Sequence, residues 1–174
     1  MTNILLIGED YIKTNSGLNE NIYGKFLLPA IRETQDMKLQ PILGDVLYKK
    51  ILLLVKTGEI NDYRPYKSLL DDLIQPYLMY MTISNLIPII GVKMGNLGVV
   101  ISNDEHIVNL SQGERDLVQN YYSQRAEFYG LRLQSYLEEN KYNFPELKEN
   151  NSIKPNLNSI AESGIWLGGK RAKK

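Results

Sequence analysis

The sequence predicts a mainly α fold: a helical bundle of about four helices with a short β-hairpin insertion and an extended C-terminal tail. Three observations predict it. Apolar residues recur at helical spacing in four separate stretches. One run, Val99-Val100-Ile101, reads instead as a strand. After residue 147 the chain turns polar and asparagine-rich. The reading divides the chain into a helical domain over 1–147 with its hairpin near 97–108, a polar linker over 148–158, and a docking tail over 159–174.

Residues 3–13 read as a short extended or irregular entry, and "NSGLNEN" at 15–21 as turn chemistry. Helical spacing begins at Ile22 and continues through Phe26, Leu27, Ala30 and Ile31, with Pro29 as a possible kink. The second helix follows Pro41, which suits a first turn because its missing N–H has no partner there anyway. Its stripe is Ile42, Leu43, Val46, Leu47, Ile51 and Leu54, and Gly58 is the stop. Asp62 and Pro65 open the third helix. Its buried face runs through Leu69, Leu70, Leu73, Ile74, Tyr77, Met81 and Ile87 to about Gly91, and Pro76 predicts a kink.

The hairpin is expected from Val99–Ile101, a turn at Ser102-Asn103-Asp104, and Ile107-Val108. Ser111-Gln112-Gly113-Glu114 has the capping-box pattern and launches the longest helix, to about Asn140. That helix is unusually aromatic: Leu117, Tyr121, Tyr122, Phe128, Tyr129 and Tyr136. Buried phenols need hydrogen-bond partners, which places this stripe at a core margin or an interface.

Composition limits the functional classes. The chain has 174 residues, enough for one domain with a proper core. Its 20 basic and 20 acidic residues cancel, so any basic surface is local. Without cysteine there is no disulfide, thiolate metal site or cysteine nucleophile. The apolar stretch Tyr77–Val92 is shorter than the roughly 20 residues that span a bilayer, and it contains Ser84, Asn85 and Pro88. It reads as a buried core helix. "MTNILLIGED" has no basic n-region and does not read as a signal peptide.

Catalytic patterns are sparse. His106 is the only histidine and follows Asp104 and Glu105, but a hairpin turn is an ordinary place for solvated residues. No phosphate-loop, zincin or nucleophile-elbow motif occurs. Asp71-Asp72 and Glu138-Glu139 are adjacent, so on a helix they diverge by about 100° and do not converge on one ion. The expectation is a protein without catalytic residues, metal or cofactor.

The tail is the exception. Residues 148–174 carry six basic side chains and two acids, a net of +4, leaving −4 on the rest of this neutral chain. Within it, Ile160, Ile165, Trp166 and Leu167 form an apolar group that reads as an anchor for a partner's pocket. Docking on its own domain and a disordered solubilising end are the rivals. Beyond Gly168-Gly169, the tip Lys170, Arg171, Lys173 and Lys174 is strongly cationic.

"LG-x-x-LY" (Leu43, Gly44, Leu47, Tyr48), "QPYLMY" in the third helix, "GNLGVV" and "YLEEN…YNFPEL" together resemble the head–tail connector (adaptor or ring) proteins of tailed bacteriophages. They are most similar to versions from crAss-like and related gut Bacteroidetes phages. The resemblance covers roughly residues 22–147 and contains no catalytic signature. It implies a small helical virion protein at the head–tail interface, made in the host cytoplasm. It further implies assembly as a ring, typically of twelve copies, on the portal protein, extending the DNA channel toward downstream tail or ring proteins.

On that reading Tyr121, Tyr122, Tyr129, Leu97 and Val99 are expected at the subunit interface. The tip Lys170, Arg171, Lys173 and Lys174 is expected to make non-specific contact with packaged DNA through phosphates. No membrane partner is expected. The alternative is a monomeric helical protein-binding module, regulatory or chaperone-like; an enzyme using Asp104, Glu105 and His106 is the third class.

Overall fold

The computed structural model describes residues 4–16, 24–89, 92–95, 98–101 and 111–149. The described chain is mainly helical. Its helices are α1 (Glu9–Asn15), α2 (Gly24–Thr34), α3 (Gln40–Leu43), α4 (Asp45–Thr57), α5 (Arg64–Leu69), α6 (Gln75–Leu86), α7 (Gln112–Glu139) and α8 (Glu146–Glu149). Short strands β1 (Val92–Gly95) and β2 (Gly98–Ile101) pair antiparallel, Val92 opposite Ile101 and Gly95 opposite Gly98.

The expected strand at Val99–Ile101 therefore falls within β2, but its partner is the segment before it. The expected second arm, Ile107-Val108, lies outside the described residues.

Three expectations are corrected near the N-terminal half. Residues 9–15 form α1 where an irregular entry was expected; Glu9 and Asp10 occupy its first turn and Lys13 its last, matching the helix dipole. The single helix expected over 41–57 is broken at Gly44, whose φ of 74° with ψ of 159° favours glycine and separates α3 from α4. Asp62 does not cap α5: it belongs to a 3₁₀ turn over Glu59–Asp62, and Tyr63 is the N-cap, without a side-chain cap bond. Gly58 ends α4 in the left-handed region, as the sequence predicts.

The prolines act through wide turns. A π-helical turn over Gln35–Leu39 precedes Pro41, and another over Leu70–Ile74 precedes Pro76. Proline lacks an N–H and collides with the carbonyl four residues back, here that of Met37 or Asp72. Each of those carbonyls lies inside the preceding π turn. An extra residue per turn moves the carbonyl away, so the chain continues as helix instead of stopping. Pro29 sits inside α2, which runs through it.

One core joins these pieces. Leu27, Ile31, Leu39, Leu43, Leu47, Ile51, Leu69, Ile74, Leu78, Ile83, Leu133 and Phe144 belong to it. Gln35, itself buried, ties the N-terminal segment to the core. Its Oε1 accepts from the Leu6 N–H (2.8 Å), and its Nε2 donates to the Ile4 carbonyl and to the Tyr48 hydroxyl (both 3.0 Å). The Tyr48 hydroxyl in turn donates to Asp36 Oδ1 (2.7 Å). Burial and this bond push the Tyr48 phenol up to about 12. At the other end, the Tyr66 hydroxyl donates to the Glu146 carboxylate, and the Tyr66 ring meets Phe144 edge-on at 5.3 Å. That contact fixes α8 against α5. α8 ends at Glu149, two residues inside the expected polar linker.

Candidate functional site

α6 is the central helix. It packs against α2 and, most extensively, against α7. Tyr77, Leu78, Met79, Thr82, Ile83, Ser84 and Leu86 are all buried, so the expected core helix over Tyr77–Val92 holds as far as Leu86; α6 ends there, and Val92 instead opens β1. Among the described residues no helix is long and apolar enough to cross a membrane.

α7 starts where its sequence says. The Glu114 N–H donates to Ser111 Oγ, and Glu114 Oε2 accepts from the Ser111 N–H (2.8 Å), closing a capping box. The bonds to Ser111 hold the Glu114 carboxyl below its ordinary value. At 28 residues α7 is about 42 Å long. Its buried face is Ala126, Gly130, Leu133 and Leu137.

Small residues permit that face to approach α6. A Cβ at Gly130 would stand 3.1 Å from Cε2 of Tyr77, a buried ring. The absence of a side chain at 130 is what seats Tyr77, whose phenol burial pushes up to about 12.

Along one flank of α7 runs an aromatic belt. The Tyr80 ring of α6 stacks on Tyr129 at 5.5 Å and tilts toward Tyr122 at 6.3 Å. Tyr122 meets Tyr121 edge-on at 5.2 Å, and Tyr129 meets Phe128 edge-on at 5.5 Å. Burial, then the neighbouring phenols Tyr121 and Tyr80, raise the Tyr122 phenol. The belt thus climbs from the α6 contact to the outside of α7. The Arg125 guanidinium lies 3.4 Å above the Tyr121 ring and donates to the Tyr121 carbonyl; Arg132 lies 5.9 Å from the Tyr129 ring.

Opposite the buried face, α7 is exposed and apolar. Leu117 is 71% exposed, Tyr121 50%, Phe128 57% and Leu131 66%. With Gln124 these residues step along the helix by four, three, four and three, which keeps them on one line. Arg125 and Arg132 border the line on the belt side, and Asn120, Glu127 and Gln134 border it on the other. The face is an apolar strip about 21 Å long with a cationic edge and an acidic-amide edge.

The expected aromatic stripe is therefore two sets of residues. Tyr122, Tyr129 and Tyr136 are half-buried and pack against the protein's own core, whereas Leu117, Tyr121 and Phe128 project outward. Of the expected interface residues, Tyr121 stands on the outer face, and Tyr122 and Tyr129 support it from behind. Val99 is in β2 opposite Met94. Leu97 lies outside the described residues, as do Ile160, Ile165, Trp166 and Leu167, the cationic Lys170, Arg171, Lys173 and Lys174, and Asp104, Glu105 and His106. Gln124 and Leu131 were missed by the sequence reading, although their spacing from Tyr121 and Phe128 signals them.

The acidic pairs behave as solvated groups: Asp71 pairs with Lys67 and Glu138 with Lys141 (3.9 Å). Among the described residues no group of three or more histidine, aspartate or glutamate side chains is placed to hold a metal.

A family model described as a family of unknown function, DUF6712, matches residues 39–156. The match takes in α3 to α8 and so the whole outer face of α7; the tryptophan tail lies beyond it. No curated protein and no solved structure matches the chain.

Proposed function

We propose that this chain, which belongs to the DUF6712 family, is a structural assembly protein: a head–tail connector ring subunit of a tailed phage virion. On this reading it binds the portal protein and copies of itself, twelve in a closed ring. It extends the DNA channel toward downstream tail or ring components. Its work is adhesion, and it carries no catalytic residues.

The observation that supports the reading best is the outer face of α7. Four large apolar side chains between 50% and 71% exposed lie in line on a helix whose opposite face is fully packed. A surface of that kind is the material of a protein contact. Two further features are consistent with a ring, which needs two different contact faces per subunit. Phe26 and Leu28 of α2 and Met37 of the turn after it leave a second apolar surface exposed. The β1–β2 ladder, read as a hairpin insertion, offers an edge to a neighbour. The tail, with Ile160, Ile165, Trp166 and Leu167, is the proposed portal anchor, and its cationic tip a non-specific contact for packaged DNA.

The test is a pull-down on the portal protein of the same genome, with the full chain and a chain lacking residues 159–174. The full chain is retained, and the truncated one is lost while its circular dichroism is unchanged. Retention of neither protein removes the connector reading; retention of both removes the tail's part in it.

A further inference from the structure

We infer that α7 pairs with α7 of a second copy of this chain, parallel and in register, through Leu117, Tyr121, Gln124, Phe128 and Leu131. The pairing goes beyond the connector reading, because it concerns the free protein and needs no portal. The first argument is the line of these residues. Spacing of four and three, repeated, is the heptad pattern with Tyr121 and Phe128 at a, and Leu117, Gln124 and Leu131 at d. The strip faces directly away from Ala126, Gly130, Leu133 and Leu137, so two copies meet along it without their bundles colliding.

Charge decides the direction. Arg125 and Arg132 occupy successive e positions, and Asn120 and Glu127 successive g positions. In a parallel pair each g residue meets the e residue five positions on in the other helix. Glu127 then meets Arg132 of the second copy, and Asn120 meets Arg125, twice over by symmetry. In an antiparallel pair e meets e, which sets Arg125 against Arg132 of the second copy.

The central Gln124 points the same way. In register it faces its own counterpart, and two amides satisfy each other; run antiparallel, it is buried against Phe128 with no partner. Arg125, already folded over the Tyr121 ring, covers the edge of the seam as e-position side chains do. A pairing of identical faces closes at two, so the free protein is a dimer whatever it later builds.

The absence of cysteine makes the test clean. Light scattering on the full chain reads twice the 20.0 kDa chain mass. Under mild oxidation Leu131→Cys forms a disulfide-linked dimer, because parallel register brings position 131 beside itself; Lys49→Cys, exposed on α4, does not. Glu127→Arg and Arg132→Glu each raise the dimer dissociation constant roughly ten-fold, and the double reversal restores it. Leu131 and Glu127 are exposed, so these variants keep the helical circular dichroism.

A monomer at all concentrations overturns the inference while leaving portal binding open. So does cross-linking at Leu131→Cys no faster than at Lys49→Cys. An Arg132→Glu variant that associates more tightly overturns it as well, since that is the signature of antiparallel pairing. Dimers that form as stated but ignore the portal sink the connector reading and leave this one standing.

Discussion

α6 and α7 pack against each other, yet α6 is buried on nearly every side while α7 is buried along one. The neighbours Leu131 and Leu133 condense the difference. Two residues apart on one helix, they are 66% and 0% exposed. The inner line of α7 uses glycine and alanine with two leucines, and lets α6 come close. The outer line uses larger side chains that stand half or more exposed among the described residues. Apolar content alone does not say which side of a helix is the inside; the residues that permit approach do.

The largest expected effect comes from exchanging these two leucines for alanine. Leu133→Ala opens a cavity in the core and lowers stability by about 2–5 kcal/mol in urea unfolding. Leu131→Ala changes it by less than about 0.5 kcal/mol at protein concentrations where the chain is monomeric. Equal losses at the two positions would break the distinction between the faces.

Next in size is Gly130→Ala. Alanine favours helix over glycine by about 1 kcal/mol, but its Cβ would press on a Tyr77 ring that the core holds in place at 3.1 Å. Overpacking wins, and we expect a net loss of about 1–2 kcal/mol. The same change at Gly113, where a Cβ meets open space, raises stability by up to about 1 kcal/mol. Thermal unfolding of the pair sharpens the comparison: the sign must differ between the two glycines.

The start of α7 sets the position of both faces. Ser111→Ala removes the cap and costs about 1 kcal/mol. The smallest effect is the pH dependence of that cap. Glu114 is held below the ordinary carboxylate value of 4.5 by its bonds to Ser111, so its contribution is fully present above pH 4.5 and disappears as the pH falls through the lowered value. Amide protection factors in the first turn of α7, referred to the intrinsic exchange rate at each pH, should fall with acidification in the parent chain and depend less on pH in Ser111→Ala.

Much of the architecture was legible because it is local. The capping box, the stop at Gly58, the boundary of α7 at Asn140 and the buried stripe of α4 each depend on residues within four positions of one another. The break at Gly44 and helix α1 were not legible. Gly44 lies inside a well-formed apolar period, and only its positive φ shows that the chain turns there. α1 has one fully buried side chain, Ile12, and too few turns for periodicity to register.

The outer strip was half legible. Its aromatic members drew attention as an interface, but Gln124 and Leu131, which complete the heptad spacing, went unread. Tyr122 and Tyr129 were grouped with it although they pack inward on Tyr80.

By itself, then, the sequence determined the mainly helical class, the span and capping box of the longest helix, the stop at Gly58, and the aromatic character of α7. These follow from hydrogen bonds and side-chain periodicity along a single segment. Only the tertiary structure decided which face of α7 is inside, and how Gln35 joins residues 4–6 to Tyr48 across the core. The reason is physical. Glycine and alanine carry almost no hydropathic signal, yet they set how closely two helices approach. An amide that satisfies groups 13 to 31 residues away leaves no trace in any local pattern.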